Sequence, residues 1–124
     1  MFDVSLYIKF VTLFLLIDSI WLIGYQKGHQ DQIQSIQHSP LQMDYKAGSL
    51  FYLLFAPLAF LYFVKPFSTS KKNAFVNGSV LFFLMYGTFD ITNKAIFKEY
   101  KWDYALKDTL WGTIVGGITS YLLF

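Results

Sequence analysis

The chain has 124 residues, of which 55% are hydrophobic, 21% aromatic and 15% charged, with a formal net charge of +2. This length suits one domain, and the composition is too apolar and aromatic for an ordinary small soluble protein. The small net charge argues against nucleic-acid binding, and the absence of cysteine excludes disulfides, thiolate metal sites and thiol catalysis.

Four mostly apolar stretches predict transmembrane helices, since a span needs about 20 such residues. They cover about residues 4–25, 47–64, 73–97 and 106–124 of a single domain, 1–124. The second stretch has no polar face, which disfavours a soluble bundle. Because the connections are short, we predict an all-α integral membrane protein, an antiparallel up-down-up-down four-helix bundle with both termini on one side. The lysines are divided too evenly to predict its orientation.

The connection between the first two spans is polar and rich in glutamine. It predicts a short interfacial helix after Asp31, and we expect the two histidines in it, His29 and His38, to be solvated. Three apolar residues of this connection are expected to rest on the membrane surface as a lid, and they are Ile33, Ile36 and Leu41.

Small residues predict where the helices pack closely against each other. One proline predicts where the second helix is weakened. Gly112, Gly116 and Ser120 recur every four residues, a stripe that allows close helix packing, and Gly87 predicts a similar contact on the third span. Pro57 removes a backbone hydrogen bond from the second span. We expect a gap beside Pro57 that admits an acyl chain sideways from the lipid.

Three aspartates fall within or at the edge of the predicted spans, all in the half of the bilayer away from the termini. Asp90 has a possible ion-pair partner in Lys94, four residues on, and Asp108 is placed to cap the fourth helix. Asp18 has no such partner close in sequence. An ionisable residue inside a membrane is by default a hypothesis for a functional site.

Aromatic and polar residues share helical faces with these aspartates. In "DSIW" and "DTLW" a tryptophan follows an aspartate by three residues, and "YGTFDITN" surrounds Asp90 with hydroxyl and amide groups. We therefore predict a carboxylate-lined pocket. Its candidate residues are Asp18, Trp21, Tyr52, Tyr86, Thr88, Asp90, Asn93, Asp108 and Trp111.

The segments "IDSIWL", "FYLLF", "YGTFDITN" and "DTLWGT" resemble, in order and spacing, the small four-span membrane proteins of the domain-of-unknown-function family DUF2177. The resemblance covers nearly the whole chain. It implies a four-helix integral membrane protein and no established activity. The glutamine-rich first connection and the absence of arginine depart from the family pattern.

Several enzyme classes are excluded because their motifs are missing. The chain lacks the histidine clusters of membrane desaturases, the paired acids of prenyl transfer, the Gly-x-Gly-Asp of intramembrane proteases and any phosphate-binding glycine loop. Three interpretations remain: a pocket that binds or modifies a lipid or hydrophobic molecule, an accessory or assembly subunit, and a proton or cation conduit. We favour the pocket, with no cofactor or metal. The expected partners are membrane lipid and other membrane subunits, not nucleic acid, and catalysis is left open.

Overall fold

The computed structural model describes residues 2–124, and helices account for most of them. A π-helical turn covers Phe51–Phe55, and a 3-10 turn covers Lys65–Phe67. No strand occurs in this part of the chain. The α-helices are α1 (Val4–Gly24), α2 (Gln26–Gln37), α3 (Tyr45–Leu50), α4 (Ala56–Phe63), α5 (Lys71–Ile96) and α6 (Trp102–Leu123).

Three helical segments are long and apolar enough to cross a membrane: α1, the continuous segment Tyr45–Phe67 and α5. Among the described residues, α6 does not meet this criterion of length and hydropathy. It begins at Trp102, before the predicted residue 106, so charged residues occupy its first two turns. Glycines and hydroxyl residues then lower its hydropathy further.

Helix α2 differs from the short helix predicted after Asp31. It begins at Gln26, directly after α1 ends, and runs for 12 residues to Gln37. His38 ends it in the left-handed conformation, at φ 57°, and its N–H bonds to the Gln34 carbonyl. The turn between α1 and α2 is therefore tighter than the sequence indicated, and this places α2 against the end of α1.

The loosening predicted at Pro57 takes the form of the π-helical turn, Phe51–Phe55. Because Pro57 has no N–H, the carbonyl of Leu53 lacks its helical partner. The Tyr7 hydroxyl of α1 donates to that carbonyl at 2.5 Å and replaces the missing bond. A π turn carries one more residue than an α turn, so it shifts the facing of the side chains that precede α4.

Four phenylalanines pack together where α1, α4 and α5 meet, and we call them the phenylalanine core. In the four ring pairs that are in contact, the centroids lie between 5.0 and 6.3 Å apart, and none of the four residues is more than 1% exposed. Their spacing along α1 continues to Asp18, the next buried residue on the same face. The core residues are Phe10, Phe14, Phe60 and Phe82.

Helices α5 and α6 form the most extensive contact, through a seam in which each large side chain faces a glycine. A side chain on Gly116 would overlap the Phe82 ring, and one on Gly112 would overlap the Tyr86 ring. Gly87 was predicted to allow a similarly close approach. A Cβ atom at this position would meet α6 at an ordinary contact distance, so the close packing of α5 and α6 does not depend on Gly87. In order along the seam, Gly78, Phe82, Tyr86 and Asp90 of α5 match Ser120, Gly116, Gly112 and Asp108 of α6.

Candidate functional site

Two Asp-x-x-Trp motifs, one on α1 and one on α6, hold each other's carboxylates. Trp21 Nε1 donates to Asp108 Oδ1 at 3.1 Å, and Trp111 Nε1 donates to Asp18 Oδ1 at 2.7 Å. The two indoles stack with centroids 5.9 Å apart and 18° between their planes. A spacing of three places both residues of each motif on one helical face, which makes the exchange possible. We call these four residues the Asp–Trp clasp.

The second oxygen of Asp18 is held by the segment that precedes α4. The Tyr52 hydroxyl donates to Asp18 Oδ2 from within the π-helical turn. Asp18 therefore ties α1 to two other elements, although it has no partner close in sequence. It is only 3% exposed, and a buried carboxylate is retained at low cost only when such donors surround it.

Asp90 is fully buried on α5 and accepts two hydroxyl hydrogen bonds. Tyr100 donates to its Oδ1 at 2.6 Å, and Thr109 donates to its Oδ2 at 2.9 Å. The ion pair predicted with Lys94 is not formed, because the Lys94 ammonium lies over the Trp102 ring, 5.9 Å from its centroid. The hydroxyls of the connection and of α6 satisfy this acid instead.

The helix-capping role considered for Asp108 is wrong. Helix α6 starts at Trp102, so Asp108 lies in its second turn and faces α1 and α5. Its neighbour Thr109 bonds to Asp90, which brings these two acids to the same level of the seam. We call Asp18, Asp90 and Asp108, with the donors that reach them, the carboxylate layer.

His29 of α2 covers one end of this layer, contrary to the expectation that it is solvated. Its Nε2 lies 3.1 Å from the Trp21 carbonyl, and its Nδ1 lies 2.7 Å from the Tyr104 hydroxyl. A carbonyl only accepts, so Nε2 carries the proton, and in the neutral ring Nδ1 accepts from Tyr104. The imidazole also meets the Trp21 and Tyr25 rings edge-on. His29 thus fastens α2 to α1 and α6.

A cavity of about 1110 Å³ lies between α1, α2, the π-helical turn and α5. Most of its wall is apolar. Its polar groups belong to the carboxylate layer, to α2 and to three further residues, Tyr86, Thr88 and Tyr104. The lining residues that also belong to the predicted site are Asp18, Trp21, Tyr52, Tyr86, Thr88 and Asp108.

Three predicted candidates lie outside the cavity wall. Asp90 is buried behind it, Trp111 acts through the clasp, and Asn93 makes no side-chain hydrogen bond within the described residues. Two lid residues, Ile33 and Leu41, line the cavity, whereas Ile36 does not. The predicted gap beside Pro57 is displaced to the π-helical turn, whose Phe51 and Phe55 line it.

Sequence reasoning missed four residues that contact the layer or the cavity: His29, Tyr100, Tyr104 and Thr109. Tyr100 and Tyr104 are four residues apart, immediately around the start of α6. Because Tyr100 precedes α6, no helical spacing pointed to it, and the structure shows that the two rings meet edge-on at 5.8 Å.

The electrostatics of the site follow from burial. Tyr100 lies in the connection before α6 and is only 4% exposed, and burial together with its hydrogen bond to Asp90 raises the pKa of its phenol above 10.0. No lysine of residues 2–124 belongs to the cavity wall. Across the same residues, no three histidine, aspartate or glutamate side chains are grouped so that they would hold a metal ion.

Comparison with known proteins gives one match. A family model described as "Predicted membrane protein (DUF2177)" matches residues 4–124, and this confirms the resemblance drawn from the sequence motifs. No curated protein and no solved structure matches the chain.

Proposed function

This chain belongs to the family of predicted membrane proteins DUF2177, and we propose that it is a multi-pass membrane protein that binds a hydrophobic ligand in the cavity beside its carboxylate layer. The observation that carries the proposal is the cavity itself. It joins a largely apolar wall to a small set of oriented polar groups, which is the usual construction of a ligand site.

The proposal includes four antiparallel spans, with α6 as the fourth. Gly78 packs near Ser120 while Gly112 packs near Tyr86, so contacts between α5 and α6 run in opposite chain directions. The 22 residues of α6 extend about 33 Å at 1.5 Å per residue, close to the thickness of a hydrocarbon core. Both termini then lie on the side of the phenylalanine core.

The phenylalanine core supports a blind cavity in preference to a conduit. Its rings occupy the space between α1, α4 and α5 on the side of the termini, and none of them lines the cavity. A conduit needs polar or hydrated groups through the full thickness. The proposed ligand therefore enters from the carboxylate end or from the lipid beside the π-helical turn.

The test compares lipid that copurifies with wild-type protein and with two matched tryptophan variants of α5. Thr88→Trp fills the cavity that Thr88 lines, whereas Ile91→Trp alters an exposed position outside the wall. We expect one molecular species to be enriched in wild type and Ile91→Trp and depleted in Thr88→Trp, by mass spectrometry of organic extracts. Equal extracts from all three proteins would reject the proposal.

An accessory subunit without a ligand is the second candidate, because four helical elements meet in the carboxylate layer. The single side chain of Asp18 accepts one hydrogen bond from α6 and one from the π-helical turn, as expected of a residue that fixes helix register. Asp18→Asn separates the two functions when melting temperature and bound lipid are measured together. Loss of lipid with an unchanged melting temperature favours the binding site, and a lower melting temperature with unchanged lipid content favours the accessory subunit.

A further inference from the structure

The charges of the cavity wall are all of one sign. Asp18 and Asp108 both line it, and no lysine of the described residues does. His29, the remaining titratable base in the wall, is fastened between a carbonyl and a phenol. An anionic head group would meet two carboxylates at short range in a medium of low dielectric constant, which strongly disfavours it.

Asp108 belongs both to the carboxylate layer and to the cavity wall. Asp108 is only 8% exposed, and it lines the wall. Trp21 donates to its Oδ1, and the carboxyl group of Asp90 lies within hydrogen-bond distance of the same side chain. Two carboxyl groups this close together favour a cation beside them, and Asp108 is the one of the two that lines the cavity.

Aromatic rings surround the same acids. Trp21, Tyr52, Tyr86 and Tyr104 all contribute to the cavity wall. Rings and carboxylates together form the environment that binds ammonium groups, since the ring faces and the carboxylate each attract a cation. A neutral hydroxyl gains only a hydrogen bond in the same place.

We propose that the ligand is an amphiphile with an alkyl chain and an ammonium head, in which the head lies against Asp108 and the chain fills the apolar wall. This inference rests on the proposed binding function and adds the chemical class of the ligand. It excludes fatty acids and singly charged anionic lipids as the preferred occupant.

The experiment uses three photoreactive probes with one diazirine-bearing alkyl chain and an amine, alcohol or carboxylic acid head. Purified full-length protein in a nonionic maltoside detergent is labelled at pH 7.5, and labelled residues are located by mass spectrometry. Labelling of the cavity wall is divided by labelling of an outward-facing position such as Phe83, which cancels differences in partition. We expect the ratio to be about tenfold higher for the amine than for the acid.

Asp108→Asn tests the residue assigned to the head group. The amide keeps an Oδ1 acceptor for Trp21 and removes the charge, so we expect the amine ratio to fall to that of the alcohol while the alcohol ratio is unchanged. Asp103→Asn is the matched control, because Asp103 is exposed on the same helix and outside the cavity. The comparison of the three probes on wild-type protein does not depend on recovery of either variant.

Each outcome decides at least one of the two proposals. If the acid labels the cavity wall as strongly as the amine, or if Asp108→Asn leaves the amine ratio unchanged, the ammonium proposal is overturned and the binding function stands. If no probe labels the wall above the outward-facing position, both proposals are overturned.

Discussion

The phenylalanine core and the carboxylate layer join the same helices by different means. The core is made of rings packed against one another, and none of its four members is more than 1% exposed. The layer is made of carboxylates and single donors at fixed distances, between 2.6 and 3.1 Å in the bonds from Tyr100, Thr109, Trp111 and Trp21. Directional bonds fix helices in place without filling the space between them, so the cavity lies beside the layer.

The largest expected effect breaks the core. Phe82→Ala removes a ring that contacts Phe10 and Phe14 and leaves an unfilled space, which should lower the free energy of unfolding by about 3 kcal/mol. Phe83→Ala is the control, because the adjacent Phe83 is 51% exposed. Unfolding in detergent, followed by circular dichroism, measures both. Equal losses in the two variants would show that the core does not carry the stability assigned to it.

A smaller effect is expected when one bond of the layer is removed. Tyr52→Phe keeps the ring and leaves Asp18 Oδ2 without its donor, at a cost of about 1–3 kcal/mol in the free energy of unfolding. Tyr62→Phe, at an exposed position of the next helix, should be neutral. Because Tyr52 also lines the cavity, its variant should alter the copurified lipid as well as stability. If neither the copurified lipid nor the stability changes, the hydrogen bond from Tyr52 to Asp18 is contradicted.

The smallest expected effect appears only at alkaline pH. The pKa of Tyr100 is raised in the folded protein, so the folded state holds this proton more tightly than the unfolded state does. The stability it contributes is complete below about pH 10 and is lost as the pH rises through the folded pKa. The melting temperature of wild type should therefore decline more steeply above pH 10 than that of Tyr100→Phe.

Tyr45→Phe provides the control for that titration, since Tyr45 is 79% exposed. Its alkaline decline should match wild type. If the Tyr100→Phe profile is parallel to wild type throughout, Asp90 and burial do not hold the Tyr100 proton as described.

The length of the apolar stretches predicted the helices, and chemistry that is local in sequence predicted part of the site. The apolar runs predicted the bounds of three helical segments to within a few residues. These segments are Val4–Gly24, Tyr45–Phe67 and Lys71–Ile96. The start of α6 was missed because the signal used was hydropathy, and charged residues occupy its first turns. A helix continues through charges when its backbone bonds are satisfied, which hydropathy does not register.

The sequence did not predict which residues from distant parts of the chain would form hydrogen bonds with each other. Asp18 lacked a partner within nine residues, yet its donors are Tyr52 and Trp111, 34 and 93 positions away. Such pairs depend on the rotation of each helix about its axis, and helix rotation is set by packing. The π-helical turn is a further example, because it changes the facing of Tyr52 and has no sequence signal beyond Pro57.

The Asp–Trp clasp has a consequence for descent within the family. Each of its bonds crosses from one motif to the other, so mutation of Asp18 relaxes selection on Trp111 and leaves Trp21 under selection through Asp108. Related sequences should therefore gain and lose these residues in crossed pairs. In an alignment, the correlated columns would be those that stand 93 and 87 positions apart, not the neighbours within either four-residue motif.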